Sequence, residues 1–351
     1  MRMLTVGEGR HYSAAILDTH NLAVQLRRVR ETKGLTQKVV AQRLGLKDAR
    51  QVRNLESPDS NPTIDSLHAY ARAVGAEIIW EVQRMRILTF INHVGGASKS
   101  SVTRDVGCVF GQMGFKVLLV DIDPQAHLSE FLGVAEVELE QTAYRALFDP
   151  NKPHQAPEGV LPEPIKMEAF DLIPSTIELA DLEIYLLSAV SGTRRLKKAI
   201  QNLTNYDLVL VDPPPAIGQL SGQALNAATD LFVPMPTTLK GIKGLNSILR
   251  RIDQYREENP GLSIGGFIPT QYDARSAHQA SAYRYIQEEL PQVAPVLATL
   301  RNRPGPYGNA MTQGVPVPIA APKDPATEEL RAVAGDLLSV MGVKVEVVER
   351  G

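Results

Sequence analysis

The chain has 351 residues, with 37 Lys and Arg against 39 Asp and Glu for a formal charge of −2, and one cysteine. Such a length suits two domains, and a lone cysteine excludes a disulfide framework or a Cys-ligated zinc site. With no apolar run of about 18 residues and no secretory h-region, the chain reads as a cytoplasmic protein.

The charge is divided unequally, since residues 21–86 carry 12 Lys and Arg against 7 Asp and Glu, leaving 25 against 32 elsewhere. A small basic module therefore precedes a larger acidic one. Residues 1–20 show no sustained periodicity and are expected to form a loose leader. Leu22, Leu26 and Val29 then recur at helical spacing, and Gly34 closes that helix. Thr36 is placed to cap a second helix carrying Val40, Ala41 and Leu44, which ends at Gly45. A third helix starts near Asp48 with Val52 and Leu55 inward, and Thr63 caps a fourth with Ile64, Leu67, Ala71 and Val74. A strand at 76–82 completes an expected domain over 21–82, with a linker at 83–86.

The stretch from Gly34 to Glu56, GLTQKVVAQRLGLKDARQVRNLE, resembles the Cro/repressor-type helix-turn-helix. Ala41 stands where the two helices cross, Gly45 makes the turn, and Leu46, Val52 and Leu55 hold the second helix with its polar face toward a major groove. That face carries Lys47, Arg50, Gln51 and Arg53, while Gln37 is placed to meet a phosphate or a flanking base. The turn from Gly45 to Val52 is one residue longer than the usual spacing.

Beyond Arg86 the pattern is α/β. Apolar runs rich in β-branched residues at 87–91, 117–120, 208–211, 231–233 and 266–268 read as buried parallel strands separated by helix-length stretches. The expected fold class is α/β, a doubly wound, mostly parallel sheet over 87–342, preceded by the small all-α helix-turn-helix domain. The Pro-rich stretches 149–164 and 301–318 read as surface excursions, and 343–351 as a C-terminal tail.

Directly after the first strand comes Asn92-His-Val-Gly-Gly-Ala-Ser-Lys-Ser-Ser101, opening a helix. A glycine-rich loop between strand and helix turns backbone N–H groups toward phosphates at the positive end of that helix. Gly95, Gly96, Ala97, Ser98, Lys99, Ser100 and Ser101 would form the cradle, with Lys99 on the β- and γ-phosphates and the Ser100 hydroxyl on magnesium. Ser98 stands where such loops have glycine. The second strand ends in Asp121 and Asp123, and the strand at 208–211 delivers Asp212 at its tip, all at carboxyl ends where α/β sheets bind ligands.

Together with DIDPQ (121–125), VDPPP (211–215), VPMPTTLKGIKGL (233–245) and IPTQYDAR (268–275), these segments are similar to the ParA branch of the ParA/MinD superfamily of deviant Walker ATPases. The resemblance implies a P-loop NTPase fold that binds ATP and Mg2+. By it Asp123 positions the attacking water, Asp121 lies beside magnesium and phosphates, Asp212 holds the metal through water, and Tyr272 and Asp273 sit near the adenine. It also implies an ATP-dependent homodimer, nonspecific binding of DNA by that dimer, stimulation by a ParB-type centromere-binding partner, and association with the nucleoid. The signature lysine that opens the family's loop is Val94 here, which together with Ser98 implies slow hydrolysis.

Two functions stay open on these residues. One is a plasmid or chromosome segregation ATPase whose N-terminal domain binds an operator. The other is a transcription regulator switched by nucleotide with little or no turnover. A metabolic ATPase of the same superfamily would leave the DNA-reading module without a role. Arg194, Arg195, Lys197 and Lys198 form the densest basic run of the C-terminal part, followed by Arg250, Arg251, Arg301 and Arg303, as candidates for nonspecific DNA contact. The tail 343–351 alternates with a period near two and is too weakly cationic to hold a membrane surface.

Overall fold

The computed structural model describes residues 19–57, 60, 62–81, 84–148, 160–188, 192–215 and 218–349. Apart from Thr19 and His20, the expected leader lies outside them.

Four helices open the described chain: α1 (Thr19–Thr32), α2 (Gln37–Arg43), α3 (Ala49–Leu55) and α4 (Ile64–Val74). Their ends form where the short polar residues predict. The side chains of Thr36, Asp48 and Thr63 accept from the backbone N–H groups of Val39, Arg50 and Ser66, satisfying donors that a helix start leaves free. Gly45 makes the turn between α2 and α3 at φ +67°, a conformation that suits glycine. Leu22, Leu26, Val40, Ala41, Val52, Leu67 and Tyr70 form a core of their own.

One buried carboxylate ties this core together. Glu56 accepts from Arg30 Nε at 2.7 Å and Nη2 at 3.1 Å, from Gln37 Nε2 at 2.8 Å, and from the Tyr70 hydroxyl. Gln37, expected to face DNA, thus turns its amide inward, because a buried carboxylate requires every donor within reach.

After β1 (Ala76–Glu81), the larger domain contributes β2 (Arg86–Phe90), β3 (Val117–Asp121), β4 (Ile165–Lys166), β5 (Asp171–Ile173), β6 (Leu208–Asp212), β7 (Asp230–Pro236) and β8 (Ile264–Thr270). They form one sheet in the order β4-β5-β3-β6-β2-β7-β8, parallel throughout except at β4–β5. Every residue of β3, β6 and β7 is buried, which is why these strands read as continuous apolar runs.

The intervening helices are α5 (Lys99–Gln112), α6 (His127–Phe131), α7 (Tyr144–Leu147), α8 (Leu179–Ser188), α9 (Arg195–Gln201), α10 (Gln219–Ala227), α11 (Leu239–Arg256), α12 (Ala277–Glu289), α13 (Pro304–Gln313), α14 (Val317–Ala320) and α15 (Pro325–Val340). On one face of the sheet, α5 and α15 pack Val106, Phe110, Leu330 and Leu337 against Leu119, Leu210 and Phe232. On the other, α7 to α10 bring Leu147, Leu182, Leu196 and Ala224 against Leu118, Val120, Val209 and Val211. The last strand, β9 (Lys344–Glu349), follows α15.

Two expectations are corrected. The segment expected as a C-terminal tail holds a strand: over 344–349 β9 pairs antiparallel with β1, from Ala76↔Glu349 to Glu81↔Lys344, so the last described strand completes the N-terminal domain. The stretch 301–318 is not a bare excursion, since it holds α13 and α14. Its prolines sit in the first turns of those helices, where a missing N–H costs nothing. Of the other excursion, 149–159 lies outside the described residues.

Burial opposes ionisation of Glu56, yet hydrogen bonds from Arg30, Tyr70 and Gln37 outweigh it and hold the carboxyl below the usual glutamate value. A depressed folded-state pKa gives stability that is full above the ordinary glutamate range and lost as pH falls through the folded value. Glu56→Ala should cost about 1–3 kcal/mol by stripping the buried Arg30 and Tyr70 of their shared acceptor, with Arg30 left to Glu31 and the Leu35 carbonyl. The check is a urea titration of helical signal at neutral pH, in which an unmoved transition would show that the network is dispensable.

Candidate functional site

The phosphate loop is fixed at its entry by Asn92. Its amide donates to Pro234 O at 2.6 Å, and its Oδ1 accepts from the Val94 N–H at 2.8 Å, so β7 and the start of the loop share one side chain. Val94 is buried and offers no charge where the family's lysine would stand. Its neighbour His93 packs against α11 so closely that a Cβ on Gly244 would lie 1.9 Å from the imidazole Cε1. Burial, with Lys240 nearby, pushes the imidazole below its ordinary pKa, so His93 supplies no substitute cation.

Further along the loop Gly96 has φ +74° and Ser98 φ +66°. Ser98 adopts the left-handed conformation that its missing glycine would have taken freely, at a cost of about 1–2 kcal/mol. Gln271, itself at φ +56° just after β8, donates from Nε2 to Gly96 O at 2.6 Å and to Ser98 Oγ at 3.0 Å. The loop residues 95–101 surround a cavity of about 340 Å³, closed by Asp123, Gln125, His127, Phe131, Pro215 and Gln271. All seven expected cradle residues line it.

At the foot of this cavity the register of β3 with β6 sets Asp121 opposite Asp212. Burial, reinforced by the neighbouring Asp212, drives the Asp121 carboxyl well above the usual range. It is nonetheless fully engaged: Oδ1 accepts from Asp123 N–H at 3.1 Å, and Oδ2 from Ser129 N–H at 3.0 Å and Ser129 Oγ at 2.7 Å. Asp121 thereby shapes the turn that carries Asp123.

Asp212 is treated differently. Neither of its buried oxygens has a hydrogen-bond partner, and burial raises its pKa against the opposing influence of Lys99 and Ser100. Lys99 is itself buried, and that burial lowers its pKa against the pull of Asp212 and Asp123. An orphaned buried carboxylate beside a hydroxyl and a phosphate cradle fits a divalent cation that takes its remaining ligands from phosphate and water. Among the described residues no group of three or more His, Cys, Asp or Glu side chains closes on a metal.

A second cavity of about 220 Å³ opens on the other side of Gln271, lined by Ser98, Ser101, Val102, Thr270, Leu300 and residues 301–304 and 307. Tyr272 and Asp273, expected near a base, line neither cavity. The Tyr272 ring stacks on Tyr283 with centroids 4.3 Å apart, and Asp273 is held by Arg275 at 2.9 Å. Lining residues that the sequence reading did not single out include Gln271, Thr270, Asn302 and Tyr307. Reading 301–318 as a surface excursion hid the last two.

In the N-terminal domain Lys47, Arg50, Gln51 and Arg53 are all exposed on or just before α3, as a groove-facing helix requires. The basic run on α9 does not survive intact. Arg195 is buried, donates to Leu147 O at 2.5 Å and stacks on Phe148 at 4.3 Å. Arg303 is likewise engaged by Glu329. Lys240, Lys243 and Arg250, by contrast, are exposed at positions sharing one face of α11.

A family model described as an AAA domain matches residues 85–264, and one described as a helix-turn-helix matches residues 26–80. The chain is 34% identical over 262 residues to a probable plasmid-partitioning protein ParA of Thermus thermophilus, covering 72% of this chain and 78% of that one. The chain belongs to the ParA/MinD family of ATPases. The sporulation initiation inhibitor protein Soj of Bacillus subtilis is 33% identical over 54% of this chain and 74% of its own length. Among solved structures, a variant of Cyanothece McdA in complex with ATP superposes with TM-score 0.60 at 25% identity, over 74% of this chain and 97% of that one. A cobyrinic acid a,c-diamide synthase of Mycobacterium smegmatis with bound ATP analogue and magnesium gives TM-score 0.61 at 27% identity, over 74% and 96%. The family fold thus carries more than one chemistry, whereas ParA and Soj relate to this chain by sequence.

A carboxyl whose folded-state pKa is raised binds its proton more tightly in the folded chain, so stability falls as pH climbs from the ordinary aspartate range toward the raised value. Without ligands, the native chain should therefore lose about 1.4 kcal/mol per pH unit relative to Asp212→Asn across that window. Thermal melts between pH 5 and 8 measure the gap, and parallel profiles for the two proteins would contradict it.

Proposed function

We propose that this chain is a DNA-partition ATPase that binds Mg-ATP, pairs with a second copy, and carries its own operator-binding domain. The observation behind this reading is the orphaned Asp212 beside Lys99 and Ser100, under the cavity that Asp123 also faces. ATP is the substrate. Backbone N–H groups of residues 95–101 hold its phosphates, and the Lys99 ammonium sits on the β- and γ-oxygens. Ser100 and, through water, Asp212 would hold magnesium, which would offset phosphate charge. Asp123 orients a water toward the γ-phosphate, and Asp121 acts through the turn it shapes beneath Asp123.

DNA enters at two places. Lys47, Arg50, Gln51 and Arg53 read an operator, and the exposed face of α11 bearing Lys240, Lys243 and Arg250 meets phosphates without regard to sequence. An acidic groove lined by Glu130, Glu136, Glu138 and Glu178 opens beside the turn at Pro124 and suits a basic segment of a ParB-type partner. In the cell this protein works on the nucleoid. A second reading, a nucleotide-switched transcription regulator, is favoured by one feature, the buried uncharged Val94.

Phosphate release with Mg-ATP and DNA separates the two readings. Turnover that exceeds an Asp123→Ala control and is lost in Lys99→Ala is expected of the partition ATPase. Turnover equal to the control would leave the regulator. For DNA, Arg50→Ala and Arg53→Ala should lose discrimination between operator and random duplex. Lys240→Ala and Lys243→Ala should each flatten the salt dependence of random-duplex binding by about one unit of slope. An unchanged slope would remove α11 from the interface.

A further inference from the structure

Ser98 and Gln271 are two non-glycine residues at positive φ, and they touch. Ser98 is at +66° and makes no side-chain cap to α5, while Gln271 is at +56° at the carboxyl end of β8. Left-handed backbone at such residues persists only where surrounding contacts impose it. Here the contact is mutual, because the Gln271 amide donates both to the Ser98 hydroxyl and to the Gly96 carbonyl. Ser98 is therefore more than a degraded glycine: it supplies an acceptor that glycine lacks. Gln271 also stands between the two cavities, lining the phosphate cavity on one side and, on the other, the one built from Thr270, Leu300, Asn302 and Tyr307. The Thr270 hydroxyl is buried and has no partner.

We propose that Gln271 is a positioning residue that latches the phosphate loop through Ser98, holding it in its phosphate-accepting shape before nucleotide arrives and seating a nucleoside diphosphate across the two cavities. The latch rests on the nucleotide-binding reading above. It acts on binding, since Gln271 reaches loop atoms and not Asp123 or Asp212. Removing either half frees a strained loop to relax away from the shape the phosphates need. Removing both halves costs no more than removing Gln271 alone, because Gln271→Ala already breaks both bonds, whereas Ser98→Ala leaves the one to the Gly96 carbonyl. Glycine at position 98 is the exception, because it adopts the required φ with no latch at all.

The test is equilibrium binding of a fluorescent ADP analogue with Mg2+ to the full chain, paired with KM and kcat for phosphate release. Gln271→Ala should weaken binding at least fivefold, and Ser98→Ala by about fivefold or less, the scale of one net hydrogen bond, each raising KM with kcat little changed. The Ser98→Ala/Gln271→Ala double variant should be no weaker than Gln271→Ala, and Ser98→Gly should restore binding in the Gln271→Ala background. Additive losses, or no rescue by glycine, would overturn the latch while nucleotide binding itself stands. If the native chain binds the analogue no better than Lys99→Ala does, the nucleotide reading falls and takes the latch with it.

Discussion

Two carboxylates on adjacent parallel strands, Asp121 and Asp212, meet at a fully buried register position. Like charges so placed cannot both ionise in an apolar setting without a cation or donors to receive them. The structure answers the two differently. Donors from Ser129 and Asp123 converge on Asp121, which becomes the keystone of the turn above it. Asp212 receives none and is left to Lys99, Ser100 and whatever cation the phosphates bring. Packing of α5 and α15 on the sheet, the Asn92 bridge to β7 and the curl of the loop all serve to keep that arrangement in place.

The entry side of the loop has lost its charge. Val94 is buried and His93 is pressed onto α11, so the cations of that neighbourhood stand on α11 at Lys240 and Lys243. A unit charge about 4 Å from a phosphate oxygen is worth about 4 kcal/mol at an effective dielectric near 20, before desolvation. An uncharged residue at position 94 therefore changes the electrostatics at the loop's entry, while the cradle of backbone N–H groups does not depend on it. The cradle and the entry charge are separable parts of such a site, and this chain has the cradle and Lys99 with no charge at position 94.

Most of the fold was legible because its signals are local. Helix starts followed Thr36, Asp48 and Thr63, and the central strands followed their apolar runs to within a residue or three. What escaped depends on contacts distant in sequence. β4 and β5 are two and three residues long, too short to show a period. The stretch 301–318 looked like loop because its prolines stand at helix starts. Gln37 was read outward from its place on α2, with nothing in the local pattern to reveal the pull of Glu56, 19 residues away. In the site, the phosphate cradle and the three aspartates follow from motif spacing. Gln271 could have been found only by noticing that it follows directly on a strand whose end must border the loop, and Tyr272 was the more conspicuous neighbour.

The pairing of β1 with β9 changes what kind of object the N-terminal module is. A module joined by one connection is a bead on a string, able to swivel and able to be cut away. This one is stitched at two places, through the short segment before β2 and through the end of α15. Excising it would bare a strand edge on each fragment, so neither half is a natural unit of exchange. Because α15 lies against the helix that grows out of the phosphate loop, the second stitch runs from that helix's packing partner straight into the N-terminal module.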